Sequence, residues 1–330
     1  MATIQDVAKA AGVSVATVSR VLNNSGLVQE ETRETVMEAI RALNYQPNLL
    51  GRNLRRMETR MILVLLPNIS NPFYSRIVKG IEDVAHKNGY NIMLCNTDSD
   101  KMRERIYLEL LKKRLSDGII LMASELSREE LLELGKNYPV VQCCEYREDV
   151  EITHVSIDNY SAAKKAVNHL IGQGHKRIAM ISCKNNFLST VQREAGYKKV
   201  LEESGIEFDP DLLAYGDYGY KSGLRTAKQF LSMQDKPTAI FAISDMMAIG
   251  AIKAVRQAGL KIPEDIAVVG FDNINFASMC EPELTTVSQP KYDIGCYTME
   301  FLIRQIKGES KSSQAIFLEH ELIIRASTVK

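Results

Sequence analysis

From Met61 onward the chain alternates short apolar runs with longer stretches in which apolar residues recur every three or four positions, and it does so twice over. Strand-like runs lie at Met61 to Leu66, Asn91 to Cys95, Gly118 to Met122, Val140 to Cys143 and His154 to Ile157, and helical stretches at Tyr74 to Asn88, Arg103 to Lys113 and Arg128 to Asn137. A second round has strands near Arg177 to Ser182, Leu212 to Tyr215, Ala239 to Ile243 and Ile266 to Gly270. Its helices are at Ala162 to Gly172, Val191 to Gly205, Gly223 to Ser232 and Met246 to Gly259. Strands joined through helices run parallel, and a parallel sheet needs cover on both faces. The rhythm therefore predicts two α/β lobes and a cleft at the carboxyl ends of their strands, where ligands of open α/β sheets bind. A chain of 330 residues suits two or three domains.

Residues 1–22 follow a different pattern. Ile4, Val7, Ala8 and Ala11 recur at helical spacing, Gly12 can take the left-handed conformation that ends a helix, and Ser14 can cap the next one, Val15 to Leu22. Two short helices about a glycine turn make a helix-turn-helix, whose second helix enters the major groove of DNA. Val18, Val21 and Leu22 face inward on this helix, and Val15, Ala16, Ser19 and Arg20 outward. Arg20 suits the O6 and N7 of guanine, Val15 and Ala16 suit thymine methyls, and Thr17 and Ser19 reach phosphates. The plain alternative is a surface hairpin with a solvated arginine. A third amphipathic helix, Glu31 to Leu43, places Val36, Ile40 and Leu43 on one side and stops at Asn44-Tyr45-Gln46-Pro47-Asn48, which completes a three-helix headpiece.

The chain at this point is similar to the LacI family of bacterial transcriptional repressors. The likeness runs through TIQDVAKAAGVSVATVSRVL, the TR…AI…LNYQPN stretch and Leu49 to Arg56, and extends over essentially the whole length. It implies an α/β fold with a helix-turn-helix headpiece (1–46), a hinge helix (47–60) and a two-lobed periplasmic-binding-protein-like effector and dimerisation domain (61–330). It also implies three crossings between lobes, with lobe one near 61–160 plus 291–320 and lobe two near 161–290 plus 321–330. The implied partners are double-stranded operator DNA, a small-molecule effector and a second copy of the chain. Gln29 departs from the serine that usually caps the third helix. The hinge carries Leu49, Leu50 and Leu54 without an evident core to serve. By the resemblance Leu54 is a minor-groove wedge, with Asn48, Arg52 and Arg55 near the backbone; the alternative is that Leu54 packs on the lobes. The full DNA-contacting set is then Thr3, Ser14, Val15, Ala16, Thr17, Ser19, Arg20, Asn23, Asn48, Arg52, Leu54 and Arg55.

Candidate effector residues stand where strands end. Phe73 and Tyr74 open a helix after the first strand and can cover a planar or sugar ligand, or close the lobe core. Asp158 follows a strand and is first of all a helix cap. Arg193 aligns with the arginine that grips effector hydroxyls in the family, although a lone helical arginine is commonly a surface group. Asp272 follows an almost wholly apolar strand and must find donors, for which paired sugar hydroxyls are suitable. Tyr218 and Ser244 complete the set. The segments GHKRI, IPEDIAVVGFDNI and PELTTVSQPKYDIG look like a nucleoside-responsive branch of the family, which implies a nucleoside effector. The loop Ser182 to Thr190 lacks the base-reading arginine of purine-responsive relatives. A sugar or a purine base remains the alternative effector.

Composition sets further bounds. The 41 basic and 41 acidic residues cancel, yet Arg52, Arg55, Arg56 and Arg60 crowd nine positions, which fits phosphate contact. Cys95, Cys143, Cys144, Cys183, Cys280 and Cys296 lack metal or redox spacing and read as reduced residues of a cytoplasmic protein. No basic-then-apolar leader and no membrane-spanning run occurs, which argues against an exported solute-binding protein. The five histidines show no metal spacing, and no nucleophile elbow, phosphate loop or catalytic pair is present, so neither an enzyme nor a cofactor is expected.

Overall fold

The computed structural model describes residues 2–22, 26, 28–45, 58–309 and 312–329. It divides into two compact units, Met1–Glu58 and Thr59–Lys330.

In the first unit, α1 (Ile4–Ala10) opens with a reciprocal cap. The Thr3 hydroxyl accepts from the Asp6 N–H at 3.3 Å, while the Asp6 carboxylate accepts from the Thr3 N–H at 2.8 Å. These bonds hold the Asp6 carboxyl below its ordinary range. Gly12 turns the chain at φ +64°, and Ser14 starts α2 (Val15–Leu22) by accepting from the Thr17 N–H at 3.1 Å. Helix α3 (Glu30–Ala42) follows Gln29, which makes no side-chain capping bond. A serine there would be expected to add about 1 kcal/mol. Val7, Ala8, Val18, Val21, Val36 and Ala39 form the core. Leu43, expected on the inner side of α3, is instead 37% exposed. The helix ends one residue earlier, so the inner row is Val36, Ala39 and Ile40, closed by Tyr45.

The second unit holds two six-stranded sheets. Strands β1 (Met61–Leu66), β2 (Asn91–Asn96), β3 (Gly118–Leu121), β4 (Val140–Cys143) and β5 (His154–Ile157) belong to the first, with α4 (Pro72–Lys87), α5 (Lys101–Lys112) and α6 (Arg128–Asn137) between them. The second has β6 (Ile178–Cys183), β7 (Leu213–Gly216), β8 (Ala239–Ala242), β9 (Ala267–Asp272) and β10 (Thr285–Ser288), with α7 (Asn159–Gly172), α8 (Leu188–Glu203), α9 (Tyr220–Leu231) and α10 (Asp245–Gln257). After β10 the chain returns through α11 (Lys291–Ile306) to β11 (Ala315–Leu318), the outer strand of the first sheet. It then ends in β12 (Glu321–Ile323), the outer strand of the second. The spatial orders are β11-β5-β4-β3-β1-β2 and β12-β10-β9-β8-β6-β7, and among the described residues only the β10–β12 pairing is antiparallel. The lobes are thus joined at three places: after β5, after β10 and after β11.

Most inner strands are apolar along nearly all of their length because both faces are covered: β3, β4, β6, β8 and β9 are buried throughout, with Gln142, Ser182 and Asp272 as their polar members. β2, at an edge, leaves Met93 and Leu94 about 40% exposed. β10 carried no apolar signal, because Thr285-Thr286-Val287-Ser288 fills buried positions with hydroxyls. They are satisfied, as Thr286 Oγ1 donates to Asp245 at 2.5 Å and Thr285 Oγ1 to the Arg325 carbonyl at 2.9 Å.

The covering helices approach closely through glycines, and both lobes use the same device. A Cβ on Gly80 of α4 would overlap the Tyr292 carbonyl of α11, and one on Gly295 the Ile77 carbonyl. In lobe two, Gly223 of α9 meets the Met247 carbonyl of α10, and Gly250 the Tyr220 carbonyl. Backbone cannot give way as a side chain does. We expect Gly295→Ala and Gly250→Ala each to cost about 1–3 kcal/mol in urea unfolding. Gly172→Ala, in open space at the end of α7, should gain about 0.5–1 kcal/mol. Equal effects at the three sites would contradict this packing.

Candidate functional site

The carboxyl ends of both sheets border a cavity of about 490 Å³ in the second unit, within the range of small-molecule sites. Five of the seven candidate effector residues line it: Phe73, Tyr74, Arg193, Tyr218 and Asp272. Asp158 and Ser244 do not. Asp158 caps α7, accepting from the Ser161 N–H at 2.9 Å, and Ser244 caps α10, accepting from the Met247 N–H at 3.3 Å. Beside each cap, a neighbour takes the inward position: Asn159 lines the cavity, and Asp245 is fully buried.

Local sequence explains the placement of each group. Asn71 caps α4 by accepting from the Phe73 N–H at 3.0 Å and Pro72 takes the first helical position, which sets Phe73 and Tyr74 on the opening turn. Their rings meet edge to face, 5.1 Å apart at 70°. Phe73 belongs to the lobe core and also forms part of the cavity wall. Tyr218 takes φ +63° after β7, and its hydroxyl lies 2.6 Å from that of Thr190; burial pushes this phenol up to about 12.

Arg193 is buried, with its guanidinium 3.7 Å above the Phe271 ring. Its Nε donates to Asn159 at 3.0 Å and its Nη1 to the Ile243 carbonyl at 2.8 Å. Asp272, at the end of β9, takes the strained φ of +113°. Its carboxylate accepts from Gln289 Nε2 at 2.8 Å, and its carbonyl from Lys291 Nζ. The same ammonium donates to the Asn273 carbonyl at 2.9 Å. Burial raises the Asp272 carboxyl to about 6 against the opposing pull of Arg193, Lys291 and Gln289. Asp245 is pushed well above its ordinary range, by burial first and then by the charge of Asp272.

Sequence reasoning did not single out Glu145, Asn159, Gln289 or Lys291. Glu145 directly follows the run Val-Val-Gln-Cys-Cys, apolar but for Gln142, a signal close to the one that marked Asp272, and could have been found by it. Gln289 and Lys291 follow β10, which was invisible as a strand. Among residues lining the cavity, Asp98, Ser99, Cys144, Tyr218 and Asp272 all have positive φ without being glycine. Such strain clusters at ligand sites.

On the headpiece, Arg20, Ala16 and Val15 of α2 are exposed, Val15 by 38%, while Thr17 and Ser19 are half-buried. Thr3 and Ser14 serve as helix caps. Asn23, Asn48, Arg52, Leu54 and Arg55 lie outside the described residues. Among the described residues no His, Cys, Asp and Glu cluster could hold a metal ion, and no helix is long and apolar enough to cross a membrane. All six cysteines are free.

Comparison with known proteins accounts for both units. The description of bacterial regulatory proteins of the lacI family matches residues 3–48, and that of periplasmic binding proteins and the sugar binding domain of the LacI family matches 59–326. The HTH-type transcriptional repressor CytR of Escherichia coli (strain K12) is 40% identical over 328 residues, 99% of this chain and 96% of that protein. The HTH-type transcriptional regulator RegA of Clostridium saccharobutylicum is 42% identical over 333 residues, 100% of both. The crystal structure of the lac repressor dimer bound to operator and the anti-inducer ONPF matches with a TM-score of 0.90 and 28% identity, covering 100% of this chain and 99% of that one.

The raised Asp272 carboxyl has a consequence for stability. A folded-state pKa near 6 against about 3.9 unfolded means that the folded chain holds the proton longer. Stability should therefore fall as pH rises from about 4 to about 6 and then level off. Asp272→Asn should remove this fall and be the more stable protein at pH 8 in thermal unfolding; parallel pH profiles for the two proteins would show that Asp272 titrates normally.

Proposed function

The chain belongs to the LacI family of bacterial regulatory proteins, and from that premise we propose a cytoplasmic homodimeric repressor whose operator affinity is set by a ribonucleoside held between its lobes. Membership makes it a ligand-responsive, DNA-binding transcriptional regulator with operator DNA and a small molecule as partners. Its work in this reading is recognition, with no covalent step.

The observation that carries the effector class is the joint presence, in one cavity, of rings and of charged partners for hydroxyls. Phe73, Tyr74 and Tyr218 offer faces for a base, and Arg193 with Asp272 offers a donor and an acceptor for vicinal hydroxyls. A sugar is the second reading, favoured by the sugar-binding description of the matched family, since the Arg193 and Asp272 pair would hold its hydroxyls equally well. A thermal-shift panel of nucleosides, bases and sugars decides between them, because a ligand at about a hundred times its dissociation constant adds about 2.7 kcal/mol.

A dimer fits two half-sites read by two headpieces. Apolar surface available for it includes Met93, Leu94, Met102 and Ile106 in lobe one and Phe276 and Met279 in lobe two. The matched lac repressor structure is itself a dimer on its operator. On each headpiece the exposed α2 face presents Arg20 to base edges and Val15 and Ala16 to thymine methyls, with Thr17 and Ser19 toward phosphates. By the family likeness Leu54 adds a minor-groove wedge, with Asn48, Arg52 and Arg55 near the DNA backbone.

Arg20→Ala should weaken binding to the true operator by about 1–3 kcal/mol more than binding to random DNA. Equal losses in a mobility-shift assay would confine Arg20 to phosphate contact. Asp272→Ala and Arg193→Ala should each abolish the effector response while operator binding without effector stays near normal. The 2′-deoxynucleoside should bind more weakly than the ribonucleoside, because the missing hydroxyl leaves a buried charge unpaired. The ionised carboxylate is the better acceptor, so effector affinity should fall as pH drops through about 6. Calorimetry showing unchanged nucleoside affinity in both variants would overturn the pocket assignment, and a sugar outperforming every nucleoside would overturn the effector class.

A further inference from the structure

Two consecutive residues where β9 ends stand in the left-handed region without being glycine, Asp272 at φ +113° and Asn273 at φ +49°. Strain of this kind persists only where neighbours over-determine it, and every polar group of Asn273 is engaged. Its N–H donates to Thr286 Oγ1 at 3.3 Å and its Nδ2 to Ser288 Oγ at 3.1 Å. Its carbonyl accepts from Lys291 Nζ at 2.9 Å, and its Oδ1 from Arg325 Nη2 at 3.0 Å. Arg325 comes from the far end of the chain, two residues past β12, and is itself held firmly. Its N–H donates to Thr285 Oγ1 at 2.8 Å, its carbonyl accepts from the same hydroxyl at 2.9 Å, and its Nη1 donates to the Leu284 carbonyl at 2.7 Å. Beyond it, Ser327 is fully buried and its hydroxyl donates to the Val268 carbonyl of β9 at 2.6 Å.

We infer that Arg325 is a positioning residue for effector recognition, which sets the Asn273 amide and, through it, the turn that aims the Asp272 carboxylate at the ligand. This rests on reading the cavity as the effector site. An amide can present either its oxygen or its nitrogen to a neighbour. The Ser288 hydroxyl accepts or donates equally well, so it does not choose between the two orientations. Arg325 carries donors only and admits the oxygen alone, which leaves the Asn273 nitrogen for Ser288. With the amide fixed, the peptide between Asp272 and Asn273 is pinned on both sides, its carbonyl by Lys291 and its N–H by Thr286. It then cannot turn over to relieve the φ of Asp272. Neither Asn273 nor Arg325 lines the cavity, whereas Asp272 does, so their effect on a ligand passes through Asp272. The fork of the guanidinium is needed, since one branch holds the Leu284 carbonyl while the other holds Asn273.

The test uses full-length protein with Arg325→Ala, Arg325→Lys, Asn273→Gly and the Arg325→Ala/Asn273→Gly pair. Without any ligand, hydrogen exchange at the Asn273 and Ile274 amides should rise at least tenfold in Arg325→Ala, while the amides of β8 keep their protection. With cytidine and 2′-deoxycytidine as calorimetric probes, Arg325→Ala should lose at least tenfold in cytidine affinity. It should also lose most of the preference for cytidine over its deoxy analogue, because an acceptor no longer aimed gains little from the extra hydroxyl. Operator affinity without ligand should stay near the wild-type value. Arg325→Lys, with one donor group in place of a fork, should recover part of both losses. The pair should be no worse than the more affected single variant. Wild-type exchange at Asn273 and Ile274 in Arg325→Ala, additive losses in the pair, or equal losses for the two nucleosides would overturn the inference. If Arg325→Ala does not fold, Arg325→Lys and Asn273→Gly carry the same comparisons. If cytidine does not bind the wild-type protein, the nucleoside reading fails on that result, and the ligand-free exchange decides the role of Arg325 by itself.

Discussion

Burying a carboxylate where a strand runs out of the sheet is the constraint around which the effector unit is arranged. Parallel strands joined by helices bring all their carboxyl ends to one side, and the first polar residue after an apolar strand lands there. Asp272 is that residue on β9, and in an enclosed setting its charge costs free energy unless donors reach it. The donor to the carboxylate is Gln289 at 2.8 Å, while the Lys291 ammonium, donating to the Asp272 and Asn273 carbonyls, adds a nearby positive charge. Asp245 behind it is served by Thr286 and the Ile274 N–H at 2.5 and 2.8 Å.

Gln289 and Lys291 are also where the chain leaves the second sheet for the first. The groups that make the Asp272 carboxylate tolerable therefore sit at the start of a connection between lobes. An occupant that supplies its own donors to Asp272 changes a balance shared with the crossing. Asp272 ends β9 and its partners follow the adjacent β10, so the carboxylate and the crossing meet without any intervening side chain.

Much of this was legible beforehand, and the exceptions have physical reasons. Most inner strands announced themselves because both of their faces are largely apolar, and the headpiece because its turn, cap and inward row follow local rules. Gly12 and Ser14 behave as their chemistry dictates, and Gln29 leaves the uncapped end that its side chain implies. β10 and β11 were invisible. The first meets its burial with threonines, and the second is a four-residue edge strand with alternating exposure. Leu43 was placed inside because the helix was read one residue too far. Within the site, Phe73, Arg193, Tyr218 and Asp272 could be chosen from strand ends and the family likeness. Gln289, Lys291 and Asn159 depend on contacts between distant segments that no local pattern encodes, and the glycine crossings at Gly80, Gly295, Gly223 and Gly250 likewise show only when two helices are laid together.

The order of strands carries a consequence for how the molecule is made. β11, which covers the free edge of β5, is residues 315–318, and β12, which closes the second sheet against β10, is 321–323. A ribosome delivers the chain from the amino end, so every other strand of both sheets emerges while β5 and β10 still present open edges. Ten strands must wait for the last two. Open edges of this kind pair readily with other chains, and the last two strands move the exposed edge from β5 and β10 onto strands of only four and three residues.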